Sequence, residues 1–147
     1  MIVLDQYPSI VRWAQDKLNC YFGPCYTIAN YLGDRLKAVV IFHNMKVGNC
    51  EVSIYSEGGI TKDFLMVVFQ YAFDFCDLRR LNALVSVNNQ KSIDLVERLN
   101  FQREGLIRRG SDDGTDVYIY GMLREECKWV ANQAAVHQCR PRHSTSH

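Results

Sequence analysis

At 147 residues, 48% of them hydrophobic and 22% charged, the chain is long enough to bury one real core and too short for two ordinary domains. A net charge of +1 excludes a global field that would draw it to nucleic acid, a membrane surface or an acidic substrate, so a nucleic-acid partner is not expected. No apolar run approaches the roughly 20 residues of a membrane span.

In chain order, Pro8 near a helix start, followed by Ile10, Val11, Ala14 and Leu18, predicts an amphipathic helix from about Tyr7 to Asn19, broken by Gly23-Pro24. Tyr26 to Leu32 reads as a strand, Gly33-Asp34 as a hairpin turn, and Leu36 to Asn44 as the partner strand. Gly48-Asn49 opens a second turn before a third strand, Cys50 to Ser56. Past Gly58-Gly59 the period lengthens to that of a helix, and Phe64, Leu65, Val68, Phe69, Ala72, Phe73 and Cys76 form a face so broad that the helix must be largely buried. A strand from Leu81 to Val87 comes next. Ile93, Val96 and Leu99 then recur at helical spacing, with Lys91, Asp94, Glu97 and Arg98 on the wet side. Asn100 stands at the helix stop, where a left-handed backbone suits Gly best and Asn next. Strands from Phe101 to Arg108 and from Asp116 to Leu123 join across Ser111-Asp-Asp-Gly114, a good hairpin signal. A short terminal helix through Trp129 and Ala134 is predicted, and residues 136–147 read as a polar tail.

Six cysteines, Cys20, Cys25, Cys50, Cys76, Cys127 and Cys139, contain no Cys-x-x-Cys pair. Cys50 and Cys76 sit inside apolar patterns where a free thiol acts as a small hydrophobe, and no leader-like segment opens the chain. Reduced thiols in a cytoplasmic protein without a metal site are therefore expected.

The most specific run is Asn89, Ser92, Glu97, Arg98, Leu99, Phe101, Glu104 and Gly105. It resembles the second half of the GNAT acyl-CoA N-acetyltransferase domain, nearest to the ribosomal-protein N-terminal acetyltransferase branch. There the pattern is Asn, Ser three on, Glu and a basic residue at eight and nine, then Leu-Gly-Phe and Glu-Gly; Asn100 stands in place of the Gly. The Met122–Cys127 ending is similar in style to phage-borne relatives. The element order also matches such a domain over roughly residues 5 to 125. The resemblance implies one α/β (α+β) domain over residues 1–135, with a mixed, mostly antiparallel sheet of about six to seven strands flanked by helices. It implies an acetyl-CoA-dependent N-acetyltransferase that acetylates a primary amine directly, on a protein N-terminus or a small molecule. Apart from the resemblance, Trp13 and Trp129 could sit at a homodimer contact or pack within the monomer.

What the resemblance implies for the site follows residue by residue. The strand that splays from its neighbour would offer the backbone of Ile54, Tyr55 and Ser56 to the pantetheine of acetyl-CoA. Ser56, Gly58, Gly59, Ile60 and Thr61 would stand at the phosphate-binding loop, where backbone N–H groups and a helix N-terminus can receive a pyrophosphate. Only Gly59 truly matches the family's loop pattern, the usual basic or amide residue is missing, and Thr61 could equally cap the helix. Asn89 would lie near the thioester and Ser92 toward the pantetheine or phosphate, although both are also ordinary capping residues.

Glu51, at the start of the splayed strand, is where several family members carry a glutamate that deprotonates the amine through water. Many carry a tyrosine acid on the following helix, where this chain has Val96. Tyr118 and Tyr120 share one strand face and could line the acceptor cleft or simply pack, and Tyr120 is kept as a catalytic candidate. His43 reads as a structural histidine. Acceptor selectivity is expected in loops 19–25 and 109–115. The eroded phosphate loop and the absent helix tyrosine leave a competing reading, a GNAT-fold module that binds or inhibits without catalysis.

Overall fold

The strand signals between Tyr26 and Ser56 become one antiparallel run in the computed structural model of the chain, which describes residues 1–5, 8–18, 23 and 25–130. In chain order the elements are β1 (Ile2–Asp5), α1 (Pro8–Leu18), β2 (Cys25–Leu32), β3 (Arg35–Lys46), β4 (Asn49–Ser56), α2 (Lys62–Gln70), β5 (Arg80–Ser86), α3 (Gln90–Arg98), β6 (Gln102–Ile107) and β7 (Val117–Leu123). The strands form a seven-stranded sheet in the order β1-β2-β3-β4-β5-β7-β6. Each neighbouring pair is antiparallel except β4 and β5, which run parallel.

Because side chains alternate across a strand, the sheet has two faces with separate cores. Phe42, Cys50, Leu81, Ala83 and Met122 point toward α2 and α3, whose Phe64, Val68, Phe69, Ile93 and Val96 are buried against them. Ala29, Val39 and Ile41 point the other way, under Ile10 and Ala14 of α1. Trp13 of α1 meets the Tyr55 ring edge-on at 5.3 Å, which holds that helix over the far end of β4.

Strand β1 has no counterpart in the sequence reading. Four residues are too few to display a period, and the strand is held by its pairing with β2 and by the Met1 ammonium, which donates to the Tyr31 carbonyl at 2.6 Å. The long buried helix is also not uniform. Its α-helical part ends at Gln70, and Tyr71–Phe75 widen into a π turn in which Cys76 N–H reaches back to the Tyr71 carbonyl at 2.8 Å. The Arg124 guanidinium donates to the Phe73 carbonyl and pairs with Asp74, satisfying acceptors that a helix end leaves open. The terminal helix is replaced by a single 3₁₀ turn, Arg124–Glu126, as far as residue 130; the remainder of that helix and the tail lie outside the described residues.

Helix α3 ends as its sequence requires. Asn100 takes a left-handed backbone with φ 79°, its N–H bonds the Glu97 carbonyl, and the Phe101 N–H bonds the Val96 carbonyl at 3.0 Å. That paired closure turns Phe101 straight back into the core. Cys25, Cys50, Cys76 and Cys127 are free thiols, and burial pushes Cys50 up to about 12, so it behaves as a hydrophobe; Cys20 and Cys139 lie outside the described residues.

Asn82 fastens the parallel seam. Its amide donates to Asn49 Oδ1 at 3.3 Å and to the Cys50 carbonyl at 3.2 Å, while Arg80 Nε donates to its carbonyl oxygen at 2.6 Å. Asn82→Leu strands acceptors on β4 and a donor on Arg80, and is expected to destabilise the protein by about 1–3 kcal/mol. Urea denaturation checks this as a lowered midpoint at unchanged slope.

The β6–β7 loop depends on Asp113, whose carboxylate accepts from the Ser111 hydroxyl and the Thr115 N–H, contacts that hold it down to about 2. Since the folded value is depressed, its contribution to loop order is complete above the ordinary carboxylate range near 3.8 and is lost as pH falls through about 2. A carboxyl-carbon NMR titration is expected to place the Asp113 midpoint there, and a midpoint near 3.8 would remove the loop's dependence on it.

Candidate functional site

The opening lies where β4 and β5 stop pairing. They share three register pairs, Asn49 with Arg80, Cys50 with Leu81 and Glu51 with Asn82. Beyond these, β4 continues along β3 to Ser56, while β5 follows β7 to the Ser86–Val117 pair. Alternate backbone groups of residues 52–56 therefore face a gap instead of a neighbouring strand. A cavity of about 410 Å³ fills the wedge, with Val52, Ser53 and Ile54 on one side and Ala83 to Ser86 on the other. Asn89, Ser92, Leu95 and Val96 of the α3 region also line it, as do Leu18 and the loop residues Gly110 to Asp113. A second cavity of about 650 Å³ shares Leu18, Ile54, Asn89, Ser92 and Leu95 with the first. It continues past Tyr55, Ser56, Ile60 and Leu65 toward Arg98, Lys128 and Trp129. Together they make one groove from the closed end of the wedge to the start of α2.

Of the expected cosubstrate-binding residues, Ile54, Tyr55, Ser56, Ile60, Asn89 and Ser92 line this groove. Gly58, Gly59 and Thr61 are not in its walls; they shape the turn behind it. Gly58 has φ 102°, and its N–H bonds the Ser56 hydroxyl. Gly59 lies against β3, where any β-carbon would come within 2.8 Å of Lys37 and 2.9 Å of Ala38, so the position admits no side chain. Thr61 is the N-cap of α2, accepting from the Phe64 N–H at 3.1 Å, and Asn89 caps α3 by accepting from the Ser92 N–H at 3.1 Å. In each case the capping side chain leaves further first-turn N–H groups without an acceptor inside the helix.

Charge is divided along the groove. The charged residues lining the second cavity are Lys17, Lys91, Arg98 and Lys128, whereas those lining the first are Asp112 and Asp113. Lys91 Nζ lies 5.9 Å over the Tyr55 ring and 3.4 Å from the Ser56 carbonyl. Lys17 is partly neutralised by Glu57 at 3.2 Å, a contact that lowers the Glu57 carboxyl. The indole N–H of Trp129 is buried without a hydrogen-bond partner, an orphaned donor in a residue that forms part of the second cavity's wall. Sequence reasoning missed these cations because they come from α1, α3 and the C-terminal segment, three elements that only the fold brings together.

The two expected catalytic residues stand apart from both cavities. The Tyr120 ring is fully buried; its hydroxyl donates to Glu97 Oε2 at 2.6 Å and accepts from Arg103 Nε at 3.1 Å, so it braces α3 against β6 instead of facing the wedge. Glu51 sits at the last β4–β5 pair, where its carboxylate accepts from Asn44, and it lines a shallow surface hollow with Asn82, Leu84 and Ile119. Ser53, the next residue on the face of Glu51, does line the wedge cavity and lies 3.0 Å from His43 Nε2. Residues 109–115 of the expected selectivity loops contribute Gly110 to Asp113 to the cavity wall; most of 19–25 lies outside the described residues.

No protein-family model matches the sequence. The chain is 32% identical over 71 residues to the uncharacterized N-acetyltransferase p20 of Bacillus licheniformis, an alignment spanning 46% of this chain and 40% of that protein. Among solved structures, an SpeG spermidine N-acetyltransferase variant from Vibrio cholerae superposes with a TM-score of 0.70 at 16% identity, covering 88% of this chain and 96% of that one. The dodecameric spermidine N-acetyltransferase of Vibrio cholerae does so with a TM-score of 0.67 at 14% identity, covering 84% and 94%. A parallel seam that opens into a wedge, the helices on both faces and these superpositions agree, and the chain is a single α/β domain of the GNAT acetyltransferase fold.

Proposed function

We propose that the chain is an acetyl-CoA-dependent N-acetyltransferase that transfers an acetyl group directly to a primary amine. The observation that carries this is the separation of β4 from β5 after three register pairs, which leaves a strand edge exposed to a groove. Backbone amides of an extended thioester find complementary groups on Ile54, Tyr55 and Ser56, in the manner of an added strand. At the wider end, the free N–H groups of the first turn of α2, together with Lys91, Arg98 and Lys128, suit phosphates. These cations supply what the loop itself lacks, and the orphaned Trp129 N–H offers a further donor. The thioester then falls at the closed end, beside Val52 and Ser53, with Asn89 and Ser92 on the opposite wall.

The acceptor enters past Gly110 to Asp113, where two carboxylates favour a cationic amine. The names of the structural neighbours support a small polyamine, and the motif run supports a protein α-amine. Direct transfer needs little beyond alignment of a neutral amine with the thioester carbonyl, because the thiolate is a good leaving group. A cytoplasmic setting fits the free thiols, and self-association fits the assembled neighbour.

Acetyl-CoA at 100 times its dissociation constant is expected to stabilise the protein by about 2.7 kcal/mol in a thermal-shift titration. Lys91→Glu is expected to weaken that binding about tenfold or more while leaving the unliganded melting temperature within a degree or two, since the residue is exposed. No shift at millimolar acetyl-CoA would overturn the proposal. Release of thiol from acetyl-CoA, followed with spermidine and with a short peptide bearing a free α-amine, distinguishes the two acceptor classes; binding with neither amine acetylated would favour the non-catalytic module.

A further inference from the structure

We infer that Ser53 and His43 form the proton path at the acceptor end of the groove, Ser53 meeting the attacking amine and His43 receiving the proton behind it. The inference rests on the N-acetyltransferase reading above and adds to it the groups that move the proton. Three placements carry it. Ser53 is the first residue on its face of β4 beyond the last β4–β5 pair, and it lines the wedge cavity. Its hydroxyl lies 3.0 Å from His43 Nε2 on the neighbouring strand. His43 in turn stands directly opposite Glu51 in the β3–β4 register, so serine, imidazole and carboxylate follow one another across two strands on a single face. Reading His43 as purely structural accounts for the hydrogen bond and leaves the cavity-facing serine unexplained.

The surroundings suit a proton acceptor. Burial lowers the His43 imidazole from its ordinary 6.5, and the smaller, opposite influence of the Glu51 charge limits that fall. The ring is therefore neutral at physiological pH and able to take a proton. On β2 the residue facing His43 is Cys25, whose buried thiol is pushed up and stays uncharged. The charged residues of α1, the helix over this face, are Arg12, Asp16 and Lys17, and all three are exposed to solvent.

In the step this provides for, the amine nitrogen forms a bond to the thioester carbonyl carbon. Ser53 Oγ takes a proton from that nitrogen as its own passes to His43 Nε2. The carbon–sulfur bond then breaks with its electron pair on sulfur, and the imidazolium proton returns through water to the thiolate, giving an amide and a thiol. Ser53 is the catalytic residue in this scheme. His43 acts through it, and the Glu51 charge raises the proton affinity of His43.

The test follows thiol release from acetyl-CoA with spermidine and with the α-amine peptide across pH 5 to 9, for the wild type and for Ser53→Ala, His43→Gln and Glu51→Gln. Acetyl-CoA affinity is measured on each protein by calorimetry. The expected wild-type profile loses activity on a one-proton slope below the lowered His43 value. Ser53→Ala and His43→Gln are expected to reduce kcat by about 10²-fold or more with affinity kept, His43→Gln losing the acid slope. Glu51→Gln moves that slope to lower pH, because removing the carboxylate charge lowers the imidazole further; a packing role would leave it in place. Unchanged kcat in Ser53→Ala and His43→Gln, or an unmoved slope in Glu51→Gln, overturns the proton path and leaves the acetyltransferase reading standing. A wild type that does not bind acetyl-CoA, or that binds it and acetylates neither amine, overturns the path together with the activity.

Discussion

Everything at the groove depends on a parallel pairing that is only three residues long. A longer β4–β5 ladder would fill the wedge with backbone hydrogen bonds, and the edge of residues 52–56 would be spent on a neighbouring strand. A shorter one would leave the two halves of the sheet without a common base. Asn82 marks the boundary, since its side chain reaches across to β4 at the last pair before the strands part. Beyond it, β4 is held by β3 and β5 by β7, so each wall of the gap is paired on its far side although the gap itself is open.

The walls are then trimmed by local chemistry. Thr61 and Asn89 cap two helices that start beside the same groove, and in each case one side-chain oxygen answers one amide while the remaining N–H groups of the turn stay available. Gly59 lets the loop lie flat on β3, which brings Ile60 and the α2 start to the groove's edge. The same residues that a stability argument would name also shape the groove, so capping and the proposed cosubstrate contact are compatible roles for Asn89, whose side chain accepts from the Ser92 N–H.

Much of this is visible in the residue order. The Asn100 stop, the hairpin turns, the buried helix after Gly58-Gly59 and a strand ending at Ser56 all follow from period and turn chemistry, which are local, whereas the splay of that strand is implied only by the resemblance. The features that escape such reading are non-local. Strand β1 is too short to show a pattern and exists by pairing with β2. The π turn after Gln70 leaves the apolar spacing almost unchanged while altering the backbone bond that closes it. Tyr120 and Tyr118 do share a face, as alternation requires, but the partner waiting for the Tyr120 hydroxyl is Glu97, on the helix covering that face. His43 and Ser53 are ten positions apart, and only the β3–β4 register makes them neighbours. The cations of the second cavity come from three separate elements, so no window of sequence contains them.

The outer rims of the sheet carry a different consequence. At one rim β1 is four residues long; at the other β6 has an irregular register between Arg103 and Gly105, and Glu104 there reaches over Gly121 of β7 to pair with Arg80. A side chain at position 121 would collide with both partners of that ion pair. A brief strand and a kinked, charged one are poor templates for the addition of another chain. The fold formed by the described residues is therefore guarded at its margins against growing into a continuous ribbon.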